Sequence, residues 1–232
     1  MLGVIVNTLA VIVGSSIGLL LKKGIPERVS EAVMTAIGLC SIYIGIDGAL
    51  AGDNTIVLII SMVLGTIIGT ILDIDKGISR IGSFFERKFK KSDGQASIAQ
   101  GFMTGSLLFC IGAMTIVGSV NAGLVGDNEL LFTKSVLDLI SSCMLASSLG
   151  IGVMLASLFV LVFQGGIVLL SGLLQNVLTN PDIIAEITCA GSVIIIGLGI
   201  NLTGLSKFKV ANMLPAIFLV PLVYLLVSFL PI

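Results

Sequence analysis

Two opposite charges stand one helical turn apart in an otherwise apolar stretch, Lys134 and Asp138 within "LFTKSVLDLISSCMLASS". Residues four apart share one face of a helix, and Ser141 and Ser148 continue that face while Ser142 borders it. Two interpretations remain open. In the first, Asp138 coordinates a coupling ion or proton and the serine hydroxyls line a solute path. In the second, Lys134 and Asp138 form a self-neutralising structural ion pair, with the lysine reaching outward.

Other polar residues and helix breakers interrupt the apolar runs further along the chain. Gln164 precedes Gly165-Gly166 in the middle of one run, and Asn201 and Asn212 lie close to the ends of two others. Any one of these amides is more often an interhelical hydrogen bond than a ligand. Glycine and proline weaken helices and free backbone carbonyls, which can then coordinate an ion. The predicted substrate- and ion-binding site consists of Asp138, Ser141, Ser142, Gln164, Asn201 and Asn212.

The roles within this predicted site differ. Asp138, with Ser141 and Ser142, is expected to bind a coupling cation, while the three amides contribute to the solute path. No cofactor is predicted beyond a bound Na+ ion or a coupled proton.

The composition indicates which solvent surrounds these residues. Hydrophobic residues make up 56% of the chain and charged residues 11%, whereas a soluble domain has about 25% charged residues. A helix crosses a bilayer with about 20 apolar residues. We therefore predict an all-α membrane protein that forms a single membrane domain over residues 1–232. The predicted spans, about eight in number, are 2–21, 31–50, 55–73, 98–119, 131–149, 153–176, 184–204 and 209–231.

The longest uncharged region decides the number of crossings. The 43 residues between Asp138 and Asp182 carry no charge and would extend about 64 Å as one helix, against a hydrocarbon core of about 30 Å. One pass is impossible, so we predict two passes joined near "SSLGIG".

Lysine and arginine accumulate in cytoplasmic loops. With eight spans and both termini outside, eleven of the twelve basic residues fall on the cytoplasmic side, and Lys134 is the exception. The segment 76–91, "KGISRIGSFFERKFKK", has apolar residues at helical spacing with basic residues on the other face. This pattern is typical of a helix that lies on an anionic membrane surface, although a partner-binding helix would look similar.

Two segments of the chain resemble each other. Residues 38–54 align without gaps on 112–128, and both copies end in Gly-Asp-Asn. We interpret them as candidate internal repeats, a feature of secondary transporters. Four glycine pairs also have the GxxxG spacing that permits close helix packing in membranes: Gly14/Gly18, Gly48/Gly52, Gly65/Gly69 and Gly101/Gly105.

Several classes of protein are disfavoured. The chain contains no histidine, and its four cysteines lack CxxC spacing, which argues against histidine-based triads and metal centres. We predict that the protein is not an enzyme. No basic surface with interleaved aromatic residues indicates nucleic-acid binding. The expected partners are the lipid bilayer, a small solute or ion, and further copies of the chain in a homo-oligomer.

Long ungapped motifs carry a resemblance that covers essentially the whole chain. The stretches "GVIVNTLAVIVGSSIGLLLKKGIPERV", "SLLFCIGAMTIVGSVNAGLVGDNELLFTKSVLDLISS", "LASSLGIGVMLA" and "NMLPA" closely resemble the YqgA/YdfK-like family of prokaryotic membrane proteins. The resemblance implies a multi-span inner-membrane protein and a transport role, without an established substrate or binding residue.

The leading hypothesis is a small secondary transporter, coupled to a cation, that moves a small polar or ionic solute through a site among spans five to eight. The alternatives are an ion channel, or a membrane scaffold or sensor that acts through the basic 76–91 helix without transporting anything.

Overall fold

The computed structural model describes residues 1–22, 27–78, 80, 98–111, 113–178 and 180–228, and within these residues it contains helices and no β-strand. The membrane-spanning elements follow the apolar runs of the sequence, because a bilayer offers no partner for an unpaired backbone group. Their bounds are α1 (Leu2–Lys22), α2 (Glu27–Ala49), α3 (Thr55–Leu72), α4 (Ile98–Cys110), α5 (Ala113–Leu124), α6 (Glu129–Leu149), α7 (Ile151–Leu178), α8 (Pro181–Leu202), a short 3-10 helix (Val210–Met213) and α9 (Pro215–Ser228).

Seven of the described helices, counting the last together with its 3-10 turn, are each long and apolar enough to cross a membrane. The predicted span at 98–119 is instead a pair, α4 and α5, bent by 62° at a short break. The multi-span α-helical fold is therefore confirmed, and one span is divided.

The predicted interruption at Gln164-Gly165-Gly166 is wrong. Helix α7 runs without a break from Ile151 to Leu178. A glycine inside a helix costs only about 1 kcal/mol, which is less than the cost of leaving backbone groups unpaired in hydrocarbon.

The junction of α6 and α7 lies where the uncharged region required it. Helix α6 ends at Leu149, and Gly150 adopts a φ of 78°, in the left-handed region. Glycine reaches this conformation without the steric cost of a side chain. The prediction of two passes joined near "SSLGIG" is confirmed.

Close contacts at glycines give the relative direction of the helices. In α1, Gly14 lies against Leu139 and Gly18 lies against Cys143, so α1 and α6 are parallel. In α3, Gly65 lies against Ala216 and Gly69 against Asn212, so α3 and α9 are antiparallel. Helices α2 and α8 are also antiparallel, with Gly38 near Gly199 and Gly48 near Ser192.

The broken pair runs alongside α7 in the same direction. Gly101 of α4 lies against Gly152, whereas Gly123 of α5 lies against Ser171. The 19 residues that separate Gly152 from Ser171 correspond to about 29 Å of helix, which is a full hydrocarbon core. The pair α4–α5 therefore crosses the membrane as one broken span and does not return to the side where it began.

The parallel packing of α1 and α6 agrees with this count. If α4–α5 crosses, α6 is the fifth span and runs in the same direction as the first; if it did not, α6 would run opposite to α1. The described part of the chain thus forms eight crossings.

Peripheral helices of the bundle turn their small residues inward. In α3 the buried residues include Ser61, Gly65 and Gly69, while Leu64 and Ile68 are exposed. Lipid gives no hydrophobic drive for burying large apolar side chains, so close backbone packing across small residues holds the helices together. The exposed apolar faces are the surface that contacts lipid.

The two Gly-Asp-Asn copies both form a turn between helices. The side chain of Asn54 accepts a hydrogen bond from the Val57 N–H and caps α3. The side chain of Asn128 instead accepts a hydrogen bond from the Gly3 N–H, at 2.9 Å, and ties the start of α6 to the start of α1. The predicted surface helix at 76–91 falls largely outside the described residues.

Candidate functional site

The Lys134–Asp138 pair lies inside the bundle. Lys134 Nζ donates to Asp138 Oδ1 at 2.9 Å, and the two side chains are 9% and 6% exposed. The predicted ion pair is present, and the lysine does not extend to the surface. Taking two charges out of water is expensive, so an enclosed pair of this kind needs further hydrogen bonds to hold it.

Two amides on other helices complete the cluster around the ion pair. Asn7 of α1 donates from Nδ2 to Asp138 Oδ2 at 3.0 Å and to Gln164 Oε1 at 3.3 Å. Asn7 and Gln164 are both fully buried. We call these four residues, Asn7, Lys134, Asp138 and Gln164, the central cluster. It joins α1, α6 and α7 by side-chain hydrogen bonds.

The central cluster lies within the membrane-spanning segments of its three helices. Asp138 is nine residues from the start of α6, or about 14 Å, in a helix of 21 residues. Gln164 is likewise close to the midpoint of α7, whose length is 28 residues. Ionisable residues at this depth are costly and by default mark a functional site.

A seam of small residues brings Asn7 to the ion pair. Gly3, Asn7, Gly14 and Gly18 recur at intervals of four, seven and four residues, which places them on one face of α1. The three glycines lie directly against α6, where a methyl group at Gly14 would run into the Leu139 carbonyl. Asn7 is thus a polar residue on the face that packs most closely against α6, and its side chain reaches Asp138.

Two atoms of the central cluster have no hydrogen-bond partner among the described residues: Asn7 Oδ1 and Gln164 Nε2. A carboxylate only accepts hydrogen bonds, so Asp138 fixes the Asn7 amide with its nitrogen towards the carboxylate. That orientation leaves the Asn7 oxygen open, and it turns the Gln164 oxygen towards Asn7 so that its nitrogen is open. The cluster therefore offers one free acceptor and one free donor beside a neutral ion pair.

Comparisons with known proteins agree along the whole chain. An uncharacterized membrane protein of Bacillus subtilis (strain 168), YdfK, is 35% identical over 227 residues, which cover 96% of this chain and 95% of that protein. An uncharacterized protein of Escherichia coli (strain K12), YqgA, is 31% identical over 221 residues and 94% of each chain. The family model "Protein of unknown function (DUF554)" matches residues 2–225.

The chain belongs to the DUF554 family. The predicted resemblance is confirmed, and so is the membrane character of the protein, because a relative is named as a membrane protein and the described helices are apolar and long. No solved structure matches the chain.

The serines predicted beside Asp138 in this DUF554 chain do not join the central cluster. Ser142 is buried, but its hydroxyl donates to the Leu139 carbonyl of its own helix at 3.1 Å. Ser141 is exposed on the outer face of α6. The sequence predicted Ser141 on the same face of α6 as Asp138, but the buried face is narrower than that, and Ser141 lies on the side towards lipid.

Asn201 and Asn212 also lie outside the central cluster, at the two ends of the loop that joins α8 to α9: Asn201 is in the last turn of α8 and Asn212 in the 3-10 helix. Asn201 donates to the Phe208 carbonyl and accepts from the Phe208 N–H, both at 2.8 Å. Asn212 accepts from the Asp75 N–H at 2.8 Å. Both amides satisfy backbone groups, so of the six predicted site residues the structure brings Asp138 and Gln164 together, by way of Asn7.

Glu186 is a buried acid in the second turn of α8. Its Oε1 accepts from the Asp53 and Asn54 N–H groups at 2.9 and 2.7 Å, and holds the turn between α2 and α3. Its Oε2 has no partner within the described chain. The carboxylate thereby fixes the first Gly-Asp-Asn copy to α8 by hydrogen bonds.

An apolar cavity of about 270 Å³ lies apart from these polar groups, beside the break between α4 and α5. Its walls include Phe102, Phe159, Phe163 and Phe218, and among the described residues that line it Ser106 is the one with a hydroxyl or other strongly polar side chain. Water needs two or more polar partners, so this cavity suits hydrocarbon better than a polar solute.

Proposed function

We propose that this DUF554 protein is a secondary transporter of a small polar or ionic solute, coupled to a monovalent cation. The observation that carries the proposal is the central cluster: an ion pair enclosed among membrane-spanning helices, linked through Asn7 to Gln164, with open hydrogen-bonding atoms beside it.

Asp138 is the proposed site of the coupling cation. In the described state, the Lys134 ammonium neutralises the carboxylate at 2.9 Å. A Na+ ion or a proton that reaches Asp138 takes over this neutralisation and releases Lys134. Because a charge that loses its partner in the bundle is strongly destabilised, occupation of Asp138 changes how α1, α6 and α7 pack around the cluster.

The broken span supports a moving part next to this site. Helix α4, which ends at Cys110, packs against α6, the helix that carries Lys134 and Asp138. Discontinuous helices at the membrane midplane are a recurring feature of transporter sites, where helix ends supply partial charges. The bend of 62° between α4 and α5 gives the bundle a joint near the proposed ion site.

The proposed orientation places both termini outside and the basic loops in the cytoplasm of a prokaryotic cell, in its inner membrane. Lys207 and Lys209 are both exposed at the end of α8, which eight crossings put on the same side as Lys22. The positive-inside rule supports this arrangement. A homo-oligomer stays a prediction.

The test uses purified protein in liposomes with an inward gradient of Na+ or of protons and a broad panel of labelled polar solutes. We expect uptake of at least one solute that depends on one gradient and is lost in Asp138→Asn. Ser141→Ala, on the exposed face of the same helix, is the matched control and should retain uptake.

Folding must be checked separately, because Asp138→Asn leaves Lys134 without its partner. The double variant Lys134→Met/Asp138→Asn removes both charges and should fold yet transport nothing. If well-folded wild-type protein moves no solute under either gradient, or if the double variant transports like the wild type, the proposal is wrong.

A further inference from the structure

We infer that the solute is a small monovalent anion, carried together with one monovalent cation so that the loaded central cluster stays electrically neutral. This inference rests on the proposed function and names the substrate class of the same site.

The polar atoms of the central cluster that could bind a ligand form two sets, one that suits a cation and one that suits an anion. Asp138 and the unpartnered Asn7 Oδ1 are acceptors, which suit a cation. Lys134, with three donors on Nζ, and the unpartnered Gln164 Nε2 are donors, which suit an anion. The ion pair, closed at 2.9 Å in the described state, occupies both charged positions itself.

Neutrality links the two sets. A cation that binds Asp138 alone leaves the Lys134 ammonium unpaired in the bundle, and an anion that binds Lys134 alone leaves the carboxylate unpaired. Either outcome carries the large cost of a buried uncompensated charge. When both ions bind, each fixed charge exchanges one partner for another, so each ion is expected to strengthen the binding of the other roughly a hundredfold.

The two residues that follow Gln164 in α7 are glycines, so no bulky side chain stands beside this amide. Gly165 follows Gln164 and is buried, but a side chain built there would meet, within 4 Å, only the terminal methyl carbon of Met1, at 3.8 Å. At Gly166, no described atom outside the helix itself lies within 4 Å of the same position. The two residues after Gln164 thus leave open space along α7.

The experiment measures thermal unfolding of the detergent-purified full chain with two probes, Na+ and nitrate. Sodium gluconate supplies the cation with a bulky organic anion in place of nitrate, and N-methylglucamine nitrate supplies the anion with a bulky organic cation in place of Na+. We expect a rise of the unfolding midpoint with sodium nitrate that neither salt gives alone. Repeating N-methylglucamine nitrate at acidic pH, against the gluconate salt, supplies the proton as the cation.

Charge variants distinguish this pairing from a general salt effect. In Lys134→Gln the carboxylate has lost its partner, so Na+ with gluconate should now raise the midpoint without nitrate. In Asp138→Asn, nitrate with N-methylglucamine should do so without Na+. Gly165→Leu fills the space beside Gln164 and should abolish the effect of nitrate, while Gly166→Leu serves as the matched control.

The outcomes separate this inference from the proposed function. If Na+ binds equally well with gluconate and nitrate, or if neither ion shifts the midpoint, the inference falls. If the free amino acid glycine, added without Na+ or nitrate, raises the midpoint by as much as is expected for sodium nitrate, the site binds a zwitterion and the inference is also wrong. Flux of an uncharged solute driven by the cation would support the transporter and contradict the anion inference. Paired binding of both ions without any flux would support the ion site and contradict the transporter.

Discussion

The central cluster and the loop between α8 and α9 use the same kinds of side chain for different ends. In the cluster, Asn7 and Gln164 bond to each other and to an ionised pair. At the loop, Asn201 in the last turn of α8 bonds through both its amide atoms to the backbone of Phe208. Both sets of amides stand out equally in an apolar sequence, but their partners differ.

The partner decides the meaning of a polar residue in a membrane. An amide that pairs with loop backbone replaces the water or helix bond that the backbone has lost, which is a structural task. An amide that bonds to a buried charge and still has one atom without a hydrogen-bond partner can form a further hydrogen bond, which the fold itself does not use. The cluster is therefore the better candidate for binding, and the loop amides are better candidates for stability.

The largest expected effect comes from breaking the ion pair on one side. Lys134→Met leaves Asp138 buried and unpaired, and we expect a loss of about 3–5 kcal/mol in the free energy of unfolding. The double variant Lys134→Met/Asp138→Leu should recover most of that loss, since no charge remains buried. Denaturation of the four proteins of this cycle in detergent measures the coupling. Equal losses in the single and double variants would show that the pair is not enclosed.

A smaller effect is expected where the cluster is held together by close packing. Gly14→Val pushes a side chain into the Leu139 carbonyl, which is backbone and cannot move aside, and overpacking costs about 1–3 kcal/mol. We expect weaker cation binding as well, because the valine side chain would push α1 away from α6 and so move Asn7 away from Asp138. Gly166→Ala, a change with open space around it, is the control and should leave both quantities intact. Wild-type cation binding in Gly14→Val would contradict the role given to the seam.

Removing a loop amide sharpens the contrast between the two regions. Asn201→Ala loses two hydrogen bonds and leaves the Phe208 backbone unsatisfied, so we expect a loss of about 1–2 kcal/mol. Stabilisation by sodium nitrate, measured as the shift in unfolding midpoint, should remain as large as in the wild type. A variant that keeps its stability but loses the effect of sodium nitrate would return Asn201 to the binding site.

The smallest expected effect is at Ser141. Its side chain is exposed, and surface substitutions usually stay within about 0.5 kcal/mol. Ser141→Ala should therefore match the wild type both in unfolding midpoint and in solute uptake by liposomes. Loss of uptake in this variant would mean that the outer face of α6 lines the solute path after all.

Sequence reasoning reached most of the fold because the bilayer imposes a simple rule. The lengths of apolar runs, the charge-free 43 residues between Asp138 and Asp182 and the bias of lysine and arginine sufficed for the number and order of the spans. It missed the break between α4 and α5, since "FCIGAM" contains a single glycine and no proline. It also placed a break at Gln164-Gly165-Gly166, where α7 is continuous.

The site was harder to predict because helix partners cannot be read from periodicity. The i, i+4 spacing of Lys134 and Asp138 was enough to pair them. Nothing in one sequence states that α1 packs on α6, and so Asn7 was not predicted as the link between Asp138 and Gln164. The glycines at positions 3, 14 and 18 were the available signal, because they mark the face of α1 that a neighbour approaches.

The pairing of early helices with late ones has a consequence for how the protein is made. Helix α1 packs chiefly on α6, α2 on α8 and α3 on α9. During translation, the first three helices therefore reach the membrane before the helices that they pack against have been synthesised. Until residue 138 emerges, Asn7 has no carboxylate to bond, so nascent chains depend on lipids or on the insertion machinery to shelter that amide. Premature termination anywhere before α6 should leave fragments that membrane quality-control proteases recognise.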